Sequence, residues 1–226
     1  MSPGGQPAAP ATGSAADFLP PRPTLPRLRA AAAHCRGCPL WLHATQTVFG
    51  EGPGAADVMF VGEQPGDQED RAGQPFVGPA GRLLDAGLEE AGIDRRRVYV
   101  TNAVKHFKFV RRELTQRRLH KKPTPAEVRA CLPWLEQEIA LVKPRIIVAL
   151  GATAAQALLG NAFRVTQRRG QVVESSWGSV VATVHPSSVL RAPADARAKA
   201  RREFFRDLAR VATRLTPTSA RAPSTN

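Results

Sequence analysis

Among its 226 residues the chain has three cysteines, one tyrosine and no apolar run approaching membrane-spanning length. Cys35, Cys38 and Cys131 cannot build a disulfide framework. The opening stretch MSPGGQPAAPATGSAADF has no basic region followed by an apolar core, so it does not read as a secretory signal, and a cytoplasmic location is expected. Acidic residues are scarce too. Nineteen Asp and Glu stand against 32 Lys and Arg, which leaves a net charge of +13 and a pI near 11.0. That balance favours a phosphate-rich partner, nucleic acid before a membrane surface.

What is present reads as one domain with a substantial core. Residues 1–23 and 216–226 are rich in Pro, Ala, Ser and Gly or Thr without apolar periodicity and are expected to be disordered tails around a domain at 24–215. No internal repeat is visible. Within the domain, DVMFVG, RVYVTNAV, RIIVALG and SVVATVHP read as buried strands, with RRGQVVES as a crossing strand before the last of them. GPAGRLLDAGLEEAGI, TPAEVRACLPWLEQEIALV, ATAAQALLG and a final stretch from about 195 to 215 read as helices, the second opened by a Thr124–Glu127 capping-box pattern. Alternating strands and helices predict an α/β parallel sheet covered on both faces, with ligands bound beyond the carboxyl ends of the strands.

That rule selects four loops. After the first strand come Glu63, Gln64, Pro65, Gly66 and Asp67, matching neither a Walker loop nor a dinucleotide fingerprint. Such a loop can orient a water, hold a histidine or read a base, or simply form a self-capped turn. Phe76 further along can stack on a flat ligand or plug the core. Asn102 ends the second strand with paired donors and an acceptor suited to a pyrimidine edge, or to capping a turn. GATAA follows the third strand, and His185 ends the fourth, where it can donate to an oxygen gaining negative charge or serve structurally. Cys-x-x-Cys in AHCRGCPLW follows a helical stretch, whereas a thioredoxin-like pair opens a helix after a strand; a metal or cluster is the better reading.

QRRLHKKP places His120 among Arg117, Arg118, Lys121 and Lys122. Crowded cations disfavour a further positive charge, so the imidazole is expected to be neutral: a base or nucleophile delivered to something anionic, or an idle member of a solvated loop.

GEQPGDQEDRAGQPFVGPAGRLLD, TNAVKHFKF, RRLHKKP, LGATAAQALLG and TVHPSSVLR occur together and in this order, and they resemble the uracil-DNA glycosylase superfamily, specifically its UdgX class, which is similar to the family 4 enzymes but carries an extra basic loop. The resemblance runs from about Cys35 to the last helix. It implies a three-layer α/β/α sandwich with a four-stranded parallel sheet and a structural 4Fe–4S cluster. Family 4 uses four cysteines; here His106 takes the place of one, so the implied ligands are Cys35, Cys38, His106 and Cys131. Thiolates with one imidazole also suit zinc.

The same resemblance implies a substrate and roles. Uracil flips from DNA, single-stranded or duplex, into a pocket where Phe76 stacks, Asn102 reads its edge, and Gln64 and Asp67 add contacts. His185 stabilises the departing base. His120, oriented by Glu63, captures the sugar C1′ covalently and limits the protein to one turnover. Arg117, Arg118, Lys121, Lys122, Ser187 and Arg191 would hold DNA. The protein would act as a monomer. A turning-over glycosylase and a noncatalytic iron–sulfur DNA-binding module are the competing expectations.

Overall fold

The computed structural model describes residues 13–112 and 114–215. Its elements, in chain order, begin with α1 (Leu25–Ala32), β1 (Val58–Gly62), α2 (Asp67–Ala72), α3 (Pro79–Glu90) and β2 (Val98–Asn102). There follow β3 (Phe109–Arg111), β4 (Arg118–His120), α4 (Pro125–Val142), β5 (Ile146–Leu150), α5 (Ala152–Leu159) and α6 (Val165–Arg168). β6 (Val172–Ser175), β7 (Gly178–Thr183), α7 (Pro186–Leu190) and α8 (Ala194–Leu215) complete the chain.

The main sheet has the order β2-β1-β5-β7-β6. Its first four strands are parallel, and β6 returns antiparallel to β7 at the edge. The expected α/β/α sandwich is therefore present with five strands instead of four, the crossing strand having joined the sheet. β6 pairs because Val172–Ser175 is followed by a tight return to Gly178, which lets consecutive strands zip without a crossover helix.

Alternation decides the two cores. Val58 and Phe60 of β1, with Val98, Val100, Ile146 and Val148, face α3 and α8, where Leu84, Leu88, Phe204, Phe205 and Leu208 are buried. Met59 and Val61, with Tyr99, Ile147 and Ala149, face α4 and α5, where Leu135, Ile139, Ala154 and Leu158 are buried. α4 begins as its sequence signals: the Thr124 hydroxyl accepts from the Glu127 N–H at 3.3 Å and the Glu127 carboxylate accepts from the Thr124 N–H at 2.6 Å. None of the helices among the described residues is long and apolar enough to cross a membrane.

Two segments depart from the sequence reading. Ser14–Phe18, placed in the expected N-terminal tail, forms a capped 3-10 turn with Ala15 fully buried among Leu28, Ala130 and Trp134, so order begins earlier than residue 24. Residues 1–12 and 216–226 of the expected tails lie outside the described residues. The basic loop is a two-stranded hairpin of β3 and β4, in register Phe109↔His120, Val110↔Leu119 and Arg111↔Arg118. Three-residue strands rich in arginine carry too little apolar alternation to be legible as strands.

One buried ion pair pins the sheet to α4. Lys105, with no exposed surface, bonds Glu138 Oε2 at 2.5 Å, Thr101 Oγ1 at 2.7 Å and the Asn102 carbonyl at 2.8 Å. Glu138 also accepts from Tyr99 Oη, Thr101 Oγ1 and the Gly50 N–H. Removing one partner leaves the other charge unpaired in the core. Glu138→Ala is expected to cost about 3–5 kcal/mol of unfolding free energy, whereas Lys105→Met with Glu138→Leu recovers most of it; urea midpoints of the three proteins check this.

Candidate active site

β1 leads to β2 on one side while β5 lies on its other side, so the crevice at the carboxyl ends of β1 and β5 is the topological switch point of the sheet. A cleft of about 630 Å³ opens there, sized for a small ligand. It is lined by Glu63, Gln64, Asp67, Phe76, Asn102, Arg117, His120, Lys122, Thr153, His185, Ser187 and Arg191, among them residues from all four loops the sequence selected. Arg118 and Lys121 do not line it.

The floor is built by close approach. Gly62 pairs with Asn102 across β1 and β2, and a Cβ at Gly62 would stand 2.3 Å from Asn102 Oδ1 and 2.8 Å from Phe76 Cζ. Only glycine lets the amide and the ring meet there. Phe76 itself sits at φ 60°, a left-handed conformation that costs a non-glycine residue about 1–2 kcal/mol. Such strain persists where surroundings impose it, commonly at functional sites. Its ring lies 6.3 Å from that of His185 at an interplanar angle of 26°, so the two form parallel surfaces. Asn102 is buried, and its side-chain amide has no hydrogen-bond partner among the described residues, leaving both donor and acceptor for a ligand.

His185 caps α7. The backbone N–H of Ser187 donates to its Nδ1 at 3.2 Å, and the Ser187 hydroxyl lies 2.8 Å from the same nitrogen. An Nδ1 that accepts from an N–H carries no proton, so the neutral ring has its proton on Nε2. Burial, then the nearby Arg191 charge and the His120 ring, take the His185 pKa down to about 4. Neutrality and tautomer are thus both set by local structure. Ser187, expected against DNA, is instead occupied in positioning this ring.

Glu63 is held by Thr153 of α5, whose hydroxyl donates to Oε2, and its Oε1 is 3.5 Å from His120 Nε2. Thr153 is a site residue that sequence reasoning missed by name, although GATAA was among the selected loops. Leu190, 38% exposed at the cleft mouth, was also missed; a lone leucine after a turn carries no sequence signal.

His120 faces the cleft from the end of β4. Gln64 Oε1 accepts from the Lys108 N–H at 3.1 Å, which orients its amide and turns Nε2 toward the Lys108 and Lys121 carbonyls and His120 Nε2, at 3.2, 3.1 and 2.9 Å. An amide NH₂ facing the imidazole requires a lone pair on His120 Nε2, hence an Nδ1–H tautomer. The His120 pKa is lowered, first by desolvation, with Glu63 opposing and Arg191 assisting. The lowering therefore has a different cause from the one expected: partial desolvation of a half-exposed ring and the Arg191 charge act, not the cations of its own loop.

Arg118 shows why. Its side chain is 6% exposed, ion-paired to Asp67 and to Asp70 Oδ2 (2.5 Å for the latter), and stacked over Phe107 and Phe109 at 5.4 and 5.0 Å. It clamps the hairpin to α2 and cannot meet a phosphate. Asp67 is correspondingly engaged: desolvation opposes its ionisation, but bonds from Arg118 and Arg71 hold the carboxyl below the usual range. It lines the cleft, as expected of a pocket contact, and also anchors the hairpin through Arg118. Arg117, Lys121, Lys122 and Arg191 are exposed.

Away from the cleft, Cys35, Cys38, His106 and Cys131 are all buried, and Cys35 and His106 line one cavity of about 170 Å³. Trp134 Nε1–H donates to Cys35 Sγ at 3.3 Å and the Lys105 N–H to Cys131 Sγ at 3.2 Å, the bonds that ligating sulfurs receive. Thr47 Oγ1 donates to the Ala32 carbonyl, so it accepts the His106 Nε2–H at 2.9 Å. Buried Nδ1 is left with a lone pair and no partner. Among the described residues no three His, Cys, Asp or Glu side chains converge as ligands of one ion do. Burial raises the Cys131 thiol to about 12 and lowers His106 to about 4, so only a bound cationic centre would favour thiolate there.

A cleft at the switch point, floored by an aromatic ring and an unpaired amide and faced by a neutral histidine donor, offers a flat polar ring a stacking surface and complementary hydrogen-bonding groups. Residues 49–209 match the family described as the uracil DNA glycosylase superfamily, and the chain belongs to it. It is 39% identical over 193 residues to the type-4 uracil-DNA glycosylase of Pyrobaculum aerophilum, covering 82% of this chain and 91% of that one. The type-4 enzyme of Thermotoga maritima is 42% identical over 159 residues, 70% of this chain and 78% of its own. That of Archaeoglobus fulgidus is 38% identical over 168 residues, with 70% and 79% covered.

The His185 shift carries a stability signature. Above the unfolded pKa of about 6.5 the ring is neutral in both states; as pH falls toward about 4 the unfolded chain binds a proton that the folded chain refuses. Stability is thus full above about 6.5 and declines between there and 4. From this ring, about 2 kcal/mol is expected to be lost between pH 7.5 and 5, a loss absent in His185→Gln, read from urea midpoints at the two pH values.

Proposed function

We propose that this protein excises uracil from DNA. The observation that carries the reading is the Nε2–H tautomer of His185, imposed by Ser187, in the same cleft as Phe76 and the unpaired Asn102 amide. A flipped uracil stacked on Phe76 would offer its edge to Asn102, whose donor and acceptor mismatch those of cytosine. As the bond from N1 to C1′ breaks, its electron pair moves onto the base, and the His185 Nε2–H donates to the O2 that gains the charge. A neutral donor suits this task because it leaves no cation to be desolvated. The sugar is left as an oxocarbenium-like cation. Leu190 at the mouth is apolar and placed to fill the gap in the base stack.

For the fate of that cation we infer that His120 captures it. His120 lines the cleft with its Nε2 lone pair against the Gln64 amide, which can release that nitrogen at little cost because it keeps the Lys108 and Lys121 carbonyls as acceptors. The lone pair forms the bond to C1′, Nδ1 keeps its proton, and the resulting imidazolium lies beside the Glu63 carboxylate before losing that proton to solvent. A nucleophile held at the site has a large proximity advantage over water. The competing outcome is water capture, with Glu63, fixed by Thr153, orienting the water and free abasic DNA as the product. The similarity to type-4 enzymes fits that outcome as well.

Cys35, Cys38, His106 and Cys131 are proposed to hold an iron–sulfur cluster, which would supply the positive charge that buried thiolates need. Ligands that stand apart suit separate iron corners better than one zinc ion, and the orphaned His106 Nδ1 is a ready donor.

One denaturing gel with an end-labelled oligonucleotide bearing a single uracil, beside a thymine control, tests both levels. A uracil-dependent protein–DNA band that survives heat is expected, and His120→Ala should abolish it while water capture leaves alkali-labile DNA. Many turnovers of free abasic DNA by the unsubstituted protein, without the band, would reduce His120 to a contact. His185→Ala is expected to slow excision about a hundredfold to a thousandfold in single-turnover assays.

A further inference from the structure

The β3–β4 hairpin has two faces. Phe109, Arg118 and His120 point inward, where Phe109 lies 5.1 Å from Phe107 and Arg118 is clamped by Asp67 and Asp70. Alternation turns the intervening cross-strand pair, Val110 and Leu119, to the other side. Both are unusually bare for aliphatic strand residues, at 49% and 40% exposure, and Leu114 in the connecting turn is 92% exposed. Around them Arg112, Arg117, Lys121 and Lys122 are exposed and make no ion pair among the described residues. Arg117 and Lys122 also line the cleft, so this outer face adjoins the mouth through which a base must pass.

An apolar strip set among cations that pair with no carboxylate of the described residues suits a polyanion that carries flat apolar surfaces. A protein partner of that charge would need clustered carboxylates, and a second copy would bring the same cations together. We propose that the Val110–Leu119 face, with Leu114, packs against unpaired bases next to the flipped nucleotide, while the surrounding cations take their phosphates; it is the feature by which the protein prefers single-stranded over duplex DNA. Duplex bases are stacked on one another and present no face to it. A ribbon three residues long spans about 10 Å, room for one or two nucleotides. The proposal rests on DNA being the substrate, but not on uracil chemistry, because the face lies outside the excision pocket.

The test is fluorescence anisotropy of the full chain on uracil-free single-stranded DNA, on the same sequence as a duplex, and on a strand of abasic spacers, across a salt series. Val110→Ser with Leu119→Ser is expected to weaken single-strand binding roughly tenfold. Duplex and spacer binding should change less than about twofold, with the salt slope unaltered because no phosphate contact is lost. Val110→Ile with Leu119→Met should bind as the unsubstituted protein does, which separates lost contact from lost folding. Equal losses on all three probes, a reduced salt slope, or no loss would overturn the proposal. So would a dimer of the unsubstituted protein in sedimentation that the serine substitutions dissolve, because the face would then be covered by a second copy. Uracil excision measured on the same preparations fails separately if the cleft chemistry is misassigned.

Discussion

The arrangement of both functional regions depends on the buried ion pair between Lys105 and Glu138. Lys105 lies three residues after Asn102 and immediately before His106. Its ammonium holds the Asn102 carbonyl, its backbone N–H donates to Cys131 Sγ, and Glu138 gathers Tyr99, Thr101 and the Gly50 N–H around the same point. A fully desolvated pair tolerates little displacement, since either charge left alone is strongly unfavourable. The end of β2 is therefore rigid where it presents an unpaired amide to the cleft and, a few residues on, a buried His106 whose Nδ1 has no partner. One polar knot in an otherwise apolar layer sets the geometry of two sites.

The hairpin is fixed by a second, less buried arrangement with a different logic. A run of cations would repel itself away from any surface but an acidic one. Asp67 and Asp70 provide that surface on α2, and a single residue of the run, Arg118, turns inward to meet them. Its guanidinium also covers Phe107 and Phe109, so the fastening has an apolar component that salt does not screen. With Arg118 engaged, the remaining cations stay outward, and His120 is carried to the cleft at the end of a strand instead of on a loose loop. The acidic side of α2 reaches further: Asp70 accepts the Thr45 N–H, and the segment that follows bears Thr47, which holds His106. The hairpin and the cysteine region are thus packed against the same short stretch of chain.

Two histidines in one cleft are kept neutral with opposite tautomers. Ser187 leaves the proton of His185 on Nε2, making a donor; Gln64 leaves His120 Nε2 without one, making a lone pair. In the proposed excision a departing base would meet the donor and an electron-poor sugar the lone pair, a division set by which neighbour each ring meets.

Much of this was legible in the sequence. β-branched runs ending at glycine, asparagine or histidine located the four parallel strands, the Thr124–Glu127 pattern located the start of α4, and the loops at strand ends contained nearly every residue that lines the cleft. These features are local, and local spacing records them. The sequence alone did not show that β6 joins the sheet, that the basic run is a hairpin, that Arg118 faces inward, that Thr153 grips Glu63, or that partial desolvation and Arg191, not the neighbouring cations, lower the His120 pKa. Each of those depends on residues far apart in the chain meeting across a layer. Charge and hydropathy along a sequence state what a side chain can do; which partner desolvates it, and hence what it does, is decided only when the chain has folded.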